Sequence, residues 1–230
     1  MTENDYDQIG GHTKEEADAA YAELFKELHG EDQEGFGALE AFSENVAVVG
    51  RRVPDTDSIC SAIAYARLKN EIDKTSVYIP YRAGDINDET RYALKYFGAA
   101  EPELFQAGAQ KIVLVDHNGL TQMANGIMIK DVLEIIDHHR LEGVKTPRPV
   151  WVRCQPYGAT CTIIYEMYQE QGVVPDSRTA GLLCAAIISD TERLKSETAT
   201  RTDRLACAAL ANIAGLDIEA FAAEMLNKRG

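Results

Sequence analysis

The sequence lacks an apolar run long enough to cross a bilayer. Its apolar stretches all fall short of the ~18 residues that a membrane-spanning helix requires. The opening residues 1–8 are acidic and polar, which is unlike the start of a signal peptide. We therefore expect a protein without a membrane partner.

Paired cysteine spacing is also absent. The chain has five cysteines, an odd number, and four of them lie in apolar stretches with helical character, where cysteine behaves as a small hydrophobic residue. This pattern argues against a disulfide-stapled secreted domain and favours a reduced, cytoplasmic setting. The five are Cys60, Cys154, Cys161, Cys184 and Cys207.

Positive charge is scarce, because 23 basic residues face 37 acidic ones and the net charge is −14. Residues 1–45 hold 13 acidic and 2 basic residues, so the remaining 24 acidic and 21 basic residues leave a nearly neutral body. Nucleic-acid binding needs a basic surface, and this balance argues against it.

Residues 1–44 are expected to form an acidic helical extension with a linker. Positions 13–29 predict an amphipathic helix, with Thr13 as a cap and Glu16 three residues later. Residues 30–44 are rich in Gly and Glu and are typical of a linker. The helix is expected either to pack on the main domain or to act as a docking or dimer arm.

Residues 45–230 are predicted to form one α/β domain. Apolar runs alternate with helical patterns, which indicates a parallel sheet with helices on both faces. No internal repeat is present. The predicted strands cover 46–49, 76–81, 111–116, 133–137 and 149–154, and the predicted helices cover 58–70, 89–98, 158–172, 177–189, 202–214 and 217–228.

Acidic residues follow the predicted strands at the edge where such sheets bind ligands. The first strand leads to Asp55 and Asp57, the third ends at Asp116, and a buried helix ends at Asp190. Four carboxylates at one edge repel one another unless cations balance them. Two divalent ions would supply that charge, and carboxylates with imidazole suit manganese or magnesium-like metals.

Each signal also has a structural alternative. Asp55 and Asp57 could cap the helix that follows them, and Asp190 could be a cap as well. The triplet Asp137-His138-His139 could form a turn, and adjacent histidines in an extended segment would point in opposite directions.

Four ordered segments resemble the motifs of family II inorganic pyrophosphatases, members of the DHH phosphoesterase superfamily. The similarity covers roughly residues 46–228 and extends to 82–90 and 158–160. The motifs are Pro54–Tyr65, Val115–Asn118, Asp137–His139 and Ile188–Thr191.

The resemblance implies hydrolysis of pyrophosphate with Mn²⁺ or Co²⁺, at most two ions per chain, and Mg²⁺ bound with the substrate. It implies that Asp116 bridges the ions, that Asp55 binds the first, and that Asp57, His138 and Asp190 bind the second. His139 would face the substrate, and the catalytic residues would be His139, Asp116 and Asp57. A homodimer formed by edge-strand pairing and a small phosphate substrate are also implied.

Two departures from the family pattern weaken this expectation. The family motif opens with Gly-His, whose histidine binds the first metal, whereas Gly50 is followed here by Arg51. A guanidinium has no lone pair for a metal. Arg51 could instead supply charge and contact phosphate, or point to solvent. The chain is also expected to lack the C-terminal domain that clamps the substrate in this family, and its absence would impair activity. Four residues are therefore candidates for binding the substrate: His139, Arg51, Arg140 and Lys195.

Three functions remain open at this point. The first is pyrophosphate hydrolysis, and the second is hydrolysis of another small phosphate ester or nucleotide by a DHH phosphoesterase. The third is a non-catalytic metal- or nucleotide-binding dimerisation module, which the loss of a metal ligand at Arg51 would favour.

Overall fold

Six parallel strands form one sheet in the order β3-β2-β1-β4-β5-β6. The computed structural model describes residues 44–109 and 111–229, so the predicted acidic helix and most of its linker lie outside the described residues. The strands are β1 (Glu44–Val49), β2 (Ser76–Arg82), β3 (Glu103–Leu104), β4 (Ile112–Val115), β5 (Val132–Asp137) and β6 (Trp151–Cys154).

The parallel α/β sheet predicted from the sequence is confirmed. The apolar residues of β1 and all of β4 are buried, as expected for strands covered on both faces. The short strand β3 was not predicted, because two residues are too few to show a periodic pattern.

Each predicted helix of the described domain is present, with ends displaced by a few residues. Capping side chains mark several of the starts: Asp176 accepts from the Thr179 N–H, and Thr200 and Asp203 form a reciprocal capping box. The helices are α1 (Thr56–Ile72), α2 (Asp88–Tyr96), α3 (Thr160–Glu170), α4 (Ser177–Asp190), α5 (Arg201–Ala214) and α6 (Ile218–Leu226).

The two faces of the sheet are covered differently in the described part of the chain. The face with Val46 and Val48 packs against residues of all six α-helices. The face with Ala47 and Val49 packs mainly on connecting segments, including the 3-10 turn Ile129–Asp131, and its buried cluster contains no described α-helical residue. In the described part of the chain, α-helices thus contribute to the buried cluster on the first face, and connecting segments with 3-10 helices lie on the second.

Among the described residues, no single helix is long and apolar enough to cross a membrane. The pair α5 and α6 meets the length and composition criteria together, but it is bent by 101° between Ala214 and Ile218.

The sheet order creates a crevice beside β1 and β4. The chain runs from β1 outward through β2 and β3, then returns to place β4 on the other side of β1. Connections that leave neighbouring strands in opposite directions open a ligand-binding crevice at the carboxyl ends of the strands. The segments that follow β1, β4 and β5 therefore meet at one edge.

Candidate metal centre

Four side chains converge at this edge: Asp57 in the first turn of α1, Asp116 after β4, His138 after β5, and Asp190 at the end of α4. One ligand atom from each residue lies within 4.8 Å of the others. The structure thus brings together four of the five residues predicted as metal ligands.

His138 presents a nitrogen lone pair to the three carboxylates. Its Nδ1 lies 3.0 Å from the Tyr157 carbonyl, and a carbonyl only accepts, so Nδ1 carries the proton. The lone pair is then on Nε2, which lies 3.5 Å from Asp116, 3.7 Å from Asp190 and 4.0 Å from Asp57. This Nε2 is buried and has no hydrogen-bond partner among the described residues.

The Asp116 carboxylate is buried where negative charge accumulates. Burial raises the pKa of Asp116 well above its ordinary value, and Asp57 raises it further, whereas Arg51 lowers it. Burial, followed by Asp57 and Asp116, likewise raises the pKa of Asp190. Asp116 Oδ2 also has no hydrogen-bond partner in the described part of the chain. The crowded carboxylates and the unpartnered Nε2 of His138 fit a divalent cation with oxygen and imidazole ligands.

Asp57 is fixed by the start of α3. Its two carboxylate oxygens accept the backbone N–H groups of Thr160, at 2.6 Å, and Cys161, at 3.0 Å. The amino end of a helix stabilises negative charge. These two N–H groups fix the orientation of the Asp57 side chain at the cluster.

Asp55 and Arg51 form a second group beside the first. Asp55 caps α1 by accepting the Ser58 N–H at 3.0 Å, as the alternative from the sequence proposed. Its other oxygen is in close ion-pair contact with the Arg51 guanidinium. Arg51 Nε also lies 3.4 Å from Asp116 Oδ2. The alternative that Arg51 points to solvent is wrong, because these two carboxylates draw the guanidinium inward.

His139 and His138 lie on the same side of the chain, with ring centroids 4.2 Å apart. The expectation that they would point in opposite directions is wrong, because β5 ends at Asp137 and the chain bends at His139, so that both rings approach Asp116. The His139 Nδ1 lies 2.8 Å from Asp137 Oδ1. Burial raises the pKa of Asp137, but hydrogen bonds from His139 and Asn118 outweigh burial and leave that pKa below its ordinary value.

Arg140 and Lys195 are exposed. Within the described residues, neither side chain forms an ion pair with the carboxylates of the cluster. Their predicted contact with substrate stays a prediction.

Two buried carboxylates that support the site were not singled out from the sequence. Glu89 contacts the segments that carry Asp57 and Asp190 through Thr56 and Ser189. Asp203 accepts the Gly158 N–H at 2.9 Å and the Thr162 hydroxyl at 2.6 Å. The spacing of Thr200 and Asp203 is a capping-box signal that could have indicated Asp203.

The comparisons with known proteins agree with this geometry. The model of the DHH family, N-terminal domain, matches residues 45–187. A protein named manganese-dependent inorganic pyrophosphatase from Methanothrix thermoacetophila is 45% identical over 188 residues, covering 81% of this chain and 60% of the relative. The chain thus spans about 60% of the length of the curated relatives that it matches.

Solved structures give the same result. A structure from Methanococcus jannaschii assigned to the family II inorganic pyrophosphatases matches with a TM-score of 0.71 and 38% identity, over 80% of this chain and 61% of that one. An exopolyphosphatase-related protein from Bacteroides fragilis, at 14% identity, 81% and 57% coverage and a TM-score of 0.65, supports the fold alone. By its sequence and by the placement of its strand-end carboxylates, this chain belongs to the DHH family and carries the N-terminal domain of that family.

Proposed function

We propose that the chain hydrolyses inorganic pyrophosphate to phosphate with bound Mn²⁺. The observation that carries the proposal is the cluster of Asp57, Asp116, His138 and Asp190, whose ligand atoms lie within 4.8 Å of one another. The buried and unpartnered His138 Nε2 within it supports a cation. The names of the relatives favour pyrophosphate and manganese over other substrates and metals.

In this proposal the four residues of the cluster hold the metal. A bound divalent ion would lower the pKa of a bound water and neutralise charge on the phosphoryl group. The protein contributes rigid placement: the amino end of α3 orients Asp57, and the Tyr157 carbonyl fixes the His138 tautomer. Such supporting contacts tune metal ligands.

His139 is proposed as the catalytic proton or hydrogen-bond donor to the phosphate or its leaving group. Asp137 accepts from its Nδ1, so the donor would be Nε2, which carries a proton when the imidazole is in its doubly protonated form. The side chain is 36% exposed, which a contact with substrate requires. Together with Asp57 and Asp116, it completes the proposed catalytic set.

Basic side chains around the edge are proposed to bind the anionic substrate. Arg51 lies beside the cluster, and exposed Arg140 and Lys195 lie on segments that follow β5 and α4. Oxygen and imidazole ligands suit Co²⁺ as well as Mn²⁺. Mg²⁺ is proposed to enter with substrate phosphate oxygens, because it binds few protein ligands.

Phosphate release from pyrophosphate in the presence of Mn²⁺ tests the proposal. We expect release by the wild type, its loss in Asp116→Ala, and its retention in Asp131→Ala, which removes a carboxylate at the opposite end of β5. ATP and tripolyphosphate are measured in parallel. Preference for either would indicate a DHH phosphoesterase with another substrate, and Mn²⁺ binding without any phosphate release would indicate a non-catalytic module.

A homodimer and a cytoplasmic setting are also proposed. The outer strand β6 exposes Trp151 and Val152, at 48% and 49%, and edge strands readily pair with another chain. All five cysteines are free, as expected in a reducing compartment.

A further inference from the structure

The two carboxylate oxygens of Asp116 face different partners. Oδ1 lies 3.5 Å from His138 Nε2 and 3.5 Å from the Thr160 hydroxyl, on the side of the four-residue cluster. Oδ2 lies 3.4 Å from Arg51 Nε. Asp116 thus directs one oxygen, Oδ1, toward the proposed metal position and the other, Oδ2, toward the Arg51 guanidinium.

Arg51 is held on that side by contacts at both ends of the residue. Its backbone N–H donates to the Ser58 hydroxyl at 2.9 Å, and its guanidinium is paired with Asp55. Asp55 is also bound to the Ser58 N–H and is not part of the four-residue cluster. Both oxygens of Asp55 are thus engaged by groups of this chain.

We infer that Arg51 is a built-in cation in the place of a second divalent ion, so that the centre holds a single Mn²⁺. The inference rests on the proposed function, because it concerns the same metal centre. In this arrangement the ion is bound by Asp57, by Oδ1 of Asp116, by His138 and by Asp190. The guanidinium pairs with Asp55 and with Oδ2 of Asp116.

The chemistry of arginine explains why Arg51 would keep a second metal ion out of this position. A guanidinium is a cation with N–H donors only, and it has no lone pair with which to join a metal. A second ion between Asp55 and Asp116 would have to displace Arg51 and break both ion pairs. If Arg51 stayed in place instead, it would lie 3.4 Å from Asp116 Oδ2, a ligand of that ion, and the two cations would repel each other.

The same placement gives Arg51 a role toward substrate. Its Nε is buried beside Asp116, but the side chain as a whole is 27% exposed. A planar guanidinium with free N–H donors is well suited to a phosphate oxygen. Arg51 therefore neutralises part of the carboxylate cluster and can contact an anionic substrate next to the single ion.

Manganese stoichiometry on the full chain tests the inference by calorimetric titration and by the EPR spectrum of bound Mn²⁺. We expect one ion and a mononuclear spectrum for the wild type. Arg51→His replaces the cation with an imidazole ligand and should bind two ions, with a spin-coupled spectrum because two such ions lie only ~3.5–4 Å apart. Arg52→His is the matched control, since Arg52 is the exposed neighbour, and it should bind one.

Two tightly bound ions in the wild type would overturn the inference and leave the proposed function standing. One ion in both the wild type and a folded Arg51→His variant would also overturn it, because Arg51 would then not exclude the second ion. If Arg51→His does not fold, Arg51→Gln, which removes the positive charge and leaves a shorter, neutral amide, should still admit a second, weaker ion. A wild type that binds no Mn²⁺ would instead reject the proposed function itself.

Discussion

Glu89 and Arg229 form an ion pair in which the Arg229 Nε lies 2.5 Å from Glu89 Oε2. Glu89 is 2% exposed, and its other oxygen accepts hydrogen bonds from Thr56, at 3.0 Å, and from Ser189. Thr56 lies between two aspartates of the site, and Ser189 precedes Asp190. One buried carboxylate thus ties together two segments that carry proposed metal ligands.

Glu89→Gln is expected to weaken both folding and metal binding. The amide keeps the size of the side chain but loses the ion pair, and its NH2 group puts a donor where the carboxylate had an acceptor. In a buried position this lowers the free energy of unfolding by about 1–3 kcal/mol. Because supporting contacts orient the ligands, Mn²⁺ affinity should fall by about tenfold or more. Urea unfolding and Mn²⁺ titration measure the two effects.

Asp88→Asn is the control for that experiment, because Asp88 is the exposed neighbour on the same helix, α2. It should change neither quantity. Wild-type Mn²⁺ affinity in a folded Glu89→Gln protein would show that Glu89 contributes to stability alone.

Asp116→Asn is expected to have opposite effects on stability without and with metal. In EDTA, the amide removes one of the crowded negative charges, and asparagine tolerates the positive φ of 63° found at this position. The metal-free variant should therefore unfold at the same or a higher temperature than the wild type. At Mn²⁺ a hundredfold above its Kd, the wild type should gain about 2.7 kcal/mol, and the variant should gain much less.

Thermal unfolding of both proteins in EDTA and in Mn²⁺ checks this expectation. Equal stabilisation of wild type and Asp116→Asn by Mn²⁺ would contradict the placement of the ion at Asp116.

The sheet was predictable because buried parallel strands leave continuous apolar runs. The runs 46–49 and 112–115 are wholly apolar and lie at the centre of the sheet, where both faces are covered. The edge strand β3 and the covering of the second face were not predictable, because they depend on short segments without a periodic pattern.

The site was predictable in its residue types and less so in its contacts. Strand-end position brought Asp116 and His138 together, since parallel strands end at one edge. The Arg51 side chain points inward because the fold places Asp55 and Asp116 next to it. The relative orientation of His138 and His139 depends on where β5 ends. Neither property is encoded in local sequence spacing.

Asp137→Asn is expected to lower turnover while leaving Mn²⁺ stoichiometry unchanged. Asp137 Oδ1 accepts from His139 Nδ1 and from the backbone N–H groups of His138 and His139, at 2.8 Å and 3.1 Å. The amide weakens these contacts, so His139 is held less firmly, and kcat should fall by about 10- to 100-fold. Steady-state hydrolysis of pyrophosphate beside a Mn²⁺ titration separates the two roles.

The control for this change is Asp131→Asn at the other end of β5, which should leave kcat unaltered. Loss of the bound ion in Asp137→Asn would place Asp137 in the support of the metal instead of the support of His139.

Val152→Lys is expected to disrupt the proposed dimer. Val152 is 49% exposed on β6, which has a strand partner, β5, on one side only among the described residues. A lysine on an edge strand opposes pairing with a second copy, because two like charges would meet at the interface. Leu205→Lys on α5 is the matched control, since Leu205 is 61% exposed and lies on a helix and not on a strand of the sheet. Sedimentation velocity should show a dimer for the wild type and Leu205→Lys and a monomer for Val152→Lys; a dimer that persists in Val152→Lys would exclude β6 as the contact.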